Sequence, residues 1–245
     1  MSLQGQTVVI TGSAKGIGRY AAGSFAQAGA KLALADVDVE RLEQTASELR
    51  QRGAEVLAIR TDVSQEGDVQ RLMDDVASHY GQIDVLVNDA GIATHNAWEP
   101  AWPAIRDMDK DFWDRIIGTN LGGTFLCTKH ALRYMRQRGS GHIINLHGGG
   151  QPSNTGSCVY VASKDAIRTF TRYVAEEERA ANICIVILSP GGAIATEDAS
   201  QGAKRKLPGP EGLGDAFIQA AQAPLEQSGQ LFRAWEGKVQ SIQPA

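Results

Sequence analysis

Tyr160 and Lys164 stand four residues apart, with the types and spacing for proton transfer at an alcohol. On a helix, positions i and i+4 share one face. A phenol near pKa 10 is a poor base at neutral pH, and an adjacent ammonium stabilises its phenolate. Proton and hydride can then leave an alcohol together, the hydride going to C4 of a nicotinamide. The signature of such an acceptor lies near the start of the chain. Thr11-Gly12-Ser13-Ala14-Lys15-Gly16-Ile17-Gly18 joins a short β-branched run to a segment with helical spacing. Glycines there permit a tight turn and let backbone approach a pyrophosphate, while the helix N-terminus offers free N–H groups. No Gly-Lys-Ser/Thr closes the loop, so it is not a P-loop. Asp36 ends the next apolar run, placed to accept from both hydroxyls of an adenosine ribose. Its charge repels a 2′-phosphate, which favours NAD and makes NADP the weaker choice. Lys15 opposes that reading, since a cation there suits a 2′-phosphate, but the carboxylate would take the phosphate's own place.

The elements that must position these groups alternate along the chain. Short apolar runs at 7–11, 32–36, 56–59, 83–87, 142–146 and 183–188 read as strands, with another near 229–234. Helical patterns at 16–29, 38–52, 64–80 and 160–180 lie between them, with a further one at 214–223. Such βαβ units imply an α/β, doubly wound Rossmann fold: a mostly parallel sheet of six to seven strands, with helices on both faces. Residues 91–110, with Trp98, Pro100, Trp102 and Pro103, read as a loop or broken helix. Residues 111–138 read as one long helix, which Gly118, Gly122 and Gly123 would each weaken by up to ~1 kcal/mol. No composition shift marks a linker, so one dinucleotide-binding and catalytic domain over 1–245 is expected.

Composition narrows the function classes. At 245 residues the chain can bury a sizeable core. Its 24 Lys+Arg against 28 Asp+Glu leave a net charge of −4, without the positive field of a nucleic-acid binder. The longest apolar run, 183–188, is far short of the roughly 20 residues that span a bilayer. The first residues carry neither a basic flank nor an apolar signal core, so a cytoplasmic protein is expected. Cys127, Cys158 and Cys184 match no metal spacing and read as reduced, mostly buried thiols. His79, His95, His130 and His142 show no ligand spacing either and read as surface residues; no metal is expected.

From Gly5 to Thr196 the chain resembles the short-chain dehydrogenase/reductase family in its standard form of about 250 residues. The resemblance rests on the loop at 11–18, Asp62-Val63, Asn88-x-Ala90-Gly91, Asn120 within Thr119-Asn120-Leu121-x-Gly123, Tyr160-x-x-Ser163-Lys164, and Pro190-Gly191. It implies that Tyr160 is the acid/base, and that Lys164 lowers its pKa and holds the nicotinamide ribose. Asn120 would hold a water in a proton relay, and Asp62 and Val63 would contact adenine. Gly12, Ser13, Lys15, Gly16, Ile17, Gly18, Asp36, Asn88, Ala90, Gly91, Pro190, Gly191 and Thr196 would complete the cofactor site. A homo-oligomer, tetramer or dimer, packed through the helices at 111–138 and 160–180 is also implied.

The chain departs from the family where the catalytic serine is expected. Counting thirteen residues back from Tyr160 gives His147, within Asn145-Leu146-His147-Gly148-Gly149-Gly150. A neutral imidazole can donate to a carbonyl oxygen, so His147 is a candidate substitute. Ser153, Thr155 and Ser157 are alternative donors, and loss of catalysis is the third possibility. Asp89 stands where the family usually has asparagine, Thr196 comes one residue late, and the short polar segment 197–214 reads as an open substrate lid. The leading expectation is an NAD-dependent oxidoreductase acting on an alcohol or ketone. A catalytically weak NAD-binding sensor or scaffold is the rival, and an NADP-linked 3-oxoacyl reductase the third.

Overall fold

The computed structural model describes residues 2–93, 102–149, 155–199, 201–235 and 238–242; the expectations for His95, Trp98, Pro100 and Ser153 lie outside them. The first half runs β1 (Thr7–Thr11), α1 (Gly16–Gln27), β2 (Lys31–Asp36), α2 (Val39–Gln51), β3 (Val56–Arg60), α3 (Glu66–Tyr80) and β4 (Val85–Asn88). It continues with α4 (Lys110–Ile117), α5 (Gly123–Arg138), β5 (Gly141–Leu146), α6 (Cys158–Glu177) and β6 (Ile183–Ser189). Last come α7 (Gln201–Lys204), α8 (Ala216–Ala221), β7 (Leu231–Trp235) and β8 (Lys238–Ile242). The strands form one sheet in the order β3-β2-β1-β4-β5-β6-β7-β8, parallel except for the β7–β8 pair.

The central strands are largely apolar because helices cover both faces. All five residues of β1 are buried, as are Ile183 to Leu188 of β6. On one face α1, α2 and α8 pack through Phe25, Leu42 and Phe217. On the other, α3 and α5 pack through Leu72, Met73, Cys127 and Met135. The sheet has one strand more than the six to seven expected. β8 returns antiparallel at the edge, and its Lys238-Val239-Gln240-Ser241-Ile242 alternation is a weaker signal than a buried apolar run.

Two other expectations need correction. The long helix is divided: α4 and α5 are joined by a π-helical turn at Gly118–Gly122, in the glycine-rich stretch. Such turns often mark functional positions, and this one carries Asn120. His130 is not a surface residue but is buried on α5, its Nε2 3.1 Å from Glu66 Oε1, and His142 is half-buried with Nε2 3.0 Å from the Ala223 carbonyl. Among the thiols, Cys127 and Cys184 are buried and Cys158 is exposed.

A chain of buried amides ties the strands to the helix that carries Tyr160. Asn88 Nδ2 donates to Asn145 Oδ1 at 2.8 Å, and Asn145 Nδ2 donates to Thr171 Oγ1 on α6 at 2.9 Å. Asn145 is fully buried, so truncating it strands groups on both sides. Asn145→Ala should destabilise the protein by about 2 kcal/mol. A urea-unfolding midpoint equal to that of the wild type would remove Asn145 from this role.

Candidate active site

The order in which strands are added reverses between β1 and β4, and ligands of such sheets bind outside the carboxyl ends at that point. A cleft of about 1290 Å³ opens there, its lining including Gly12, Asp36, Val63, Tyr160, Lys164 and Thr196. Thr11, the first residue of the glycine loop, is buried beneath it. Its Oγ1 accepts from the N–H groups of Asp89 and Ala90, both at 3.2 Å. Gly12 has φ +70°, and a β-carbon there would lie 2.7 Å from Ala90 Cα. The loop therefore rests backbone to backbone on the exit of β4.

The cofactor-site residues divide into two groups. Lys15, Gly16, Ile17, Asp36, Asp62, Val63, Ala90 and Gly91 line the cleft, as do Pro190, Gly191 and Thr196. Ser13, Gly18, Asn88 and Asn120 are buried. Ser13 Oγ contacts the Ala35 carbonyl at 3.4 Å, and Gly18 packs under Gly12 and Asp89. Val63 sits on α5 so closely that a β-carbon at Gly123 would lie 2.6 Å from its Cγ2. Asp36 is clamped by backbone: Oδ2 accepts from Ala14 N–H and Oδ1 from Asp38 N–H, each at 3.0 Å. A carboxylate held this way keeps lone pairs free toward the cleft.

Tyr160 and Lys164 share the inner face of α6, as their spacing requires. Lys164 is buried, its Nζ donating to the Leu146 carbonyl at 3.0 Å and lying 5.9 Å from the Tyr160 ring centroid. Burial pushes the Tyr160 phenol up to about 12, and the Asp89 charge adds to the effect. Asn120 is held rigidly: Oδ1 accepts from Ile92 N–H at 2.7 Å, and Nδ2 donates to Ser163 Oγ at 3.0 Å and to the Ile92 carbonyl at 3.1 Å.

Beyond β5, the residue abutting the phenol is Gly148; a β-carbon there would overlap the Tyr160 hydroxyl. His147 also lines the cleft, but its Nε2 lies 3.6 Å from Asp165 Oδ1, and among the described residues neither ring nitrogen has a hydrogen-bond partner. Burial lowers its imidazole pKa, with Asp165 opposing, so the ring is neutral near pH 7. Thr155 is exposed, and Ser157 is buried at the start of α6.

Asp89 is the unexpected charge. It lies beneath the glycine loop, where a β-carbon at Gly18 would be 2.8 Å from its Oδ2. Burial raises its pKa strongly, against the opposing pull of Lys164 and a hydrogen bond from the Gly18 backbone. Burial also lowers the Lys164 pKa, against the pull of Asp89. The folded protein thus holds the Asp89 proton more tightly than the unfolded chain does. This group's contribution to stability falls as pH rises above about 4 toward neutrality. Asp89→Asn mimics the protonated form, so its stability relative to wild type should rise between pH 5 and pH 7. Equal differences at the two pH values, by urea unfolding, would contradict the placement.

The sequence model described as short chain dehydrogenase matches residues 6–206. A cis-4-hydroxycyclohexanecarboxylate dehydrogenase of Sinomonas cyclohexanicum is 39% identical over 187 residues, 76% of this chain and 72% of the relative. The 3beta-hydroxysteroid dehydrogenase 2 of Eggerthella lenta is 37% identical over 175 residues, 71% of this chain and 65% of its own. The crystal structure of a short-chain type dehydrogenase/reductase from Mycobacterium marinum matches with a TM-score of 0.84 at 29% identity, covering 96% of each chain. With the glycine loop, the Tyr160–Lys164 pair and Asn120 gathered around the carboxyl ends of the central strands, the chain belongs to the short-chain dehydrogenase/reductase family of oxidoreductases.

Proposed function

We propose that the protein is an NAD-dependent dehydrogenase or carbonyl reductase of a small alcohol or ketone. The observation that carries this reading is that Tyr160, Lys164, the glycine loop and Asp36 line one cleft. The loop fits a pyrophosphate because glycines at 12, 16 and 18 leave its backbone approachable there and the N–H of Gly16 already binds a carboxylate, a stand-in anion. Bound NAD would supply the hydride acceptor and, when oxidised, a positive charge beside the phenol. Asp36 would receive the ribose hydroxyls and exclude a 2′-phosphate, and Asp62 and Val63 would flank the adenine.

Tyr160 would take the alcohol proton at its Oη, with the phenolate stabilised by Lys164. Burial and Asp89 hold the phenol up to about 12, so positive charge must gather around it before it can act as a base. Neutral His147 would donate to the substrate oxygen, a task that requires its ring to turn from Asp165. An oligomer packed through α5 and α6 is part of the same reading, since Phe125 and Tyr173 expose large apolar surface there.

One observation favours a second reading, an NAD-binding protein with weak or no turnover. Gly148 places no hydroxyl against Tyr160, and His147 is directed to Asp165. A screen of secondary alcohols and polyols with NAD, followed at the reduced-nicotinamide absorbance, separates the two. Turnover in the wild type supports the enzyme; binding without turnover supports the sensor. In an active enzyme Tyr160→Phe should lose 10²–10⁴-fold in kcat with NAD affinity changed only a few-fold. His147→Ala should lose about 10²-fold if the imidazole is the donor, and little if it is not. Calorimetric titration should find NAD bound at least ~10-fold more tightly than NADP, a difference of about 1.4 kcal/mol. Equal affinities would reject the role given to Asp36.

A further inference from the structure

The anion on the glycine loop comes from the chain itself. Glu197 follows β6 and Thr196, and its Oε2 accepts from the Gly16 N–H at 2.7 Å. Its Oε1 lies 3.5 Å from Nη1 of Arg19 on α1. The next residue, Asp198, accepts from Arg41 Nη1 at 3.1 Å through Oδ1 and pairs with the Lys15 ammonium through Oδ2. Lys204 holds the backbone of this acidic pair by donating from Nζ to the Glu197 carbonyl at 2.7 Å. Thr196 packs beside them, its Cγ2 3.1 Å from where a Gly16 β-carbon would be.

Helix α1 brings no anion of its own. It has no acidic residue in its first turn, and Lys15 at its N-cap forms no side-chain cap. Free N–H groups at a helix start attract negative charge, and a carboxylate or a phosphate satisfies them equally well in kind. Glu197 therefore takes a donor that a pyrophosphate would need. Asp198, which lines the cleft that holds Asp36, engages Lys15 of the same lining and Arg41 of α2. Without Asp198 those cations would offset Asp36 and attract a 2′-phosphate. These ion pairs are about one-third to one-half exposed, the class worth at most ~1 kcal/mol each, so an incoming ligand can displace them.

We propose that Glu197 and Asp198 are a built-in competitor for the cofactor's phosphates: Glu197 tempers affinity at Gly16, and Asp198 sets selectivity by withholding Lys15 and Arg41 from a 2′-phosphate. The proposal rests on the dinucleotide reading of the cleft. The two residues become specificity determinants that act by charge, without touching the reacting atoms.

Calorimetric titration of inorganic pyrophosphate, NAD and NADP into wild type, Glu197→Gln and Asp198→Asn tests it. Glu197→Gln should bind pyrophosphate and NAD about fivefold more tightly, the weight of one half-exposed ion pair. Asp198→Asn should gain more for NADP than for NAD and narrow their ratio about fivefold. Unchanged or weaker binding of pyrophosphate and NAD by Glu197→Gln would overturn the competitor role. An unchanged NAD:NADP ratio in Asp198→Asn would overturn the selectivity role. If pyrophosphate binds more tightly to Glu197→Gln while neither dinucleotide binds any form, the competitor stands at an anion site and the dinucleotide reading falls.

Discussion

The contact on which the site depends is the seating of the glycine loop on the exit of β4. Thr11 Oγ1 receives the N–H groups of Asp89 and Ala90 and donates to the Val87 carbonyl at 3.3 Å. Gly12 then lies against Ala90 with no room for a side chain. This one seat joins two strands that the chain reaches about 75 residues apart (Thr11 to Val87 spans 76). It aims the start of α1 into the cleft and places the Asp89 carboxyl beneath Gly18. Loosening it would move the anion site and the proton-transfer pair relative to each other.

Charge is arranged in two depths around that seat. Inside, buried Lys164 lies with half-buried Asp89 and Tyr160, and desolvation shifts each toward its neutral form. Outside, Lys15, Arg19 and Arg41 meet Glu197 and Asp198 in half-exposed pairs. Burial raises the Asp89 pKa and lowers that of Lys164, which draws the proton affinities of these two groups toward each other. The outer group can change partners because none of its pairs is worth much in water. The inner titratable groups and the outer ion pairs thus form two layers around the same cleft.

Much of this was legible in residue order. The strands through β6 follow from apolar runs, and α6 from the periodicity that places Tyr160 and Lys164 on one face. The glycine loop was recognisable because it sits between a β-branched run and a helical pattern. β8 was not, since an antiparallel edge strand alternates with solvent and carries few apolar residues. The division of 111–138 was only half visible: glycines at 118, 122 and 123 signalled weakness, but a π turn arises from packing Asn120 toward Ile92 and Ser163. His130 read as a surface residue because its burial comes from α3 lying across α5.

The sequence by itself determined which chemical groups the site can contain and which strand ends bear them, because strand and helix periods and glycine turns are local properties of the backbone. Tertiary structure decided which groups meet. It set Gly148 against the Tyr160 hydroxyl, turned His147 toward Asp165, and laid Glu197 on Gly16. Those contacts join loops from strands far apart in the chain, and their geometry is fixed by how the sheet twists and packs. Counting residues along the backbone carries no information about that distance.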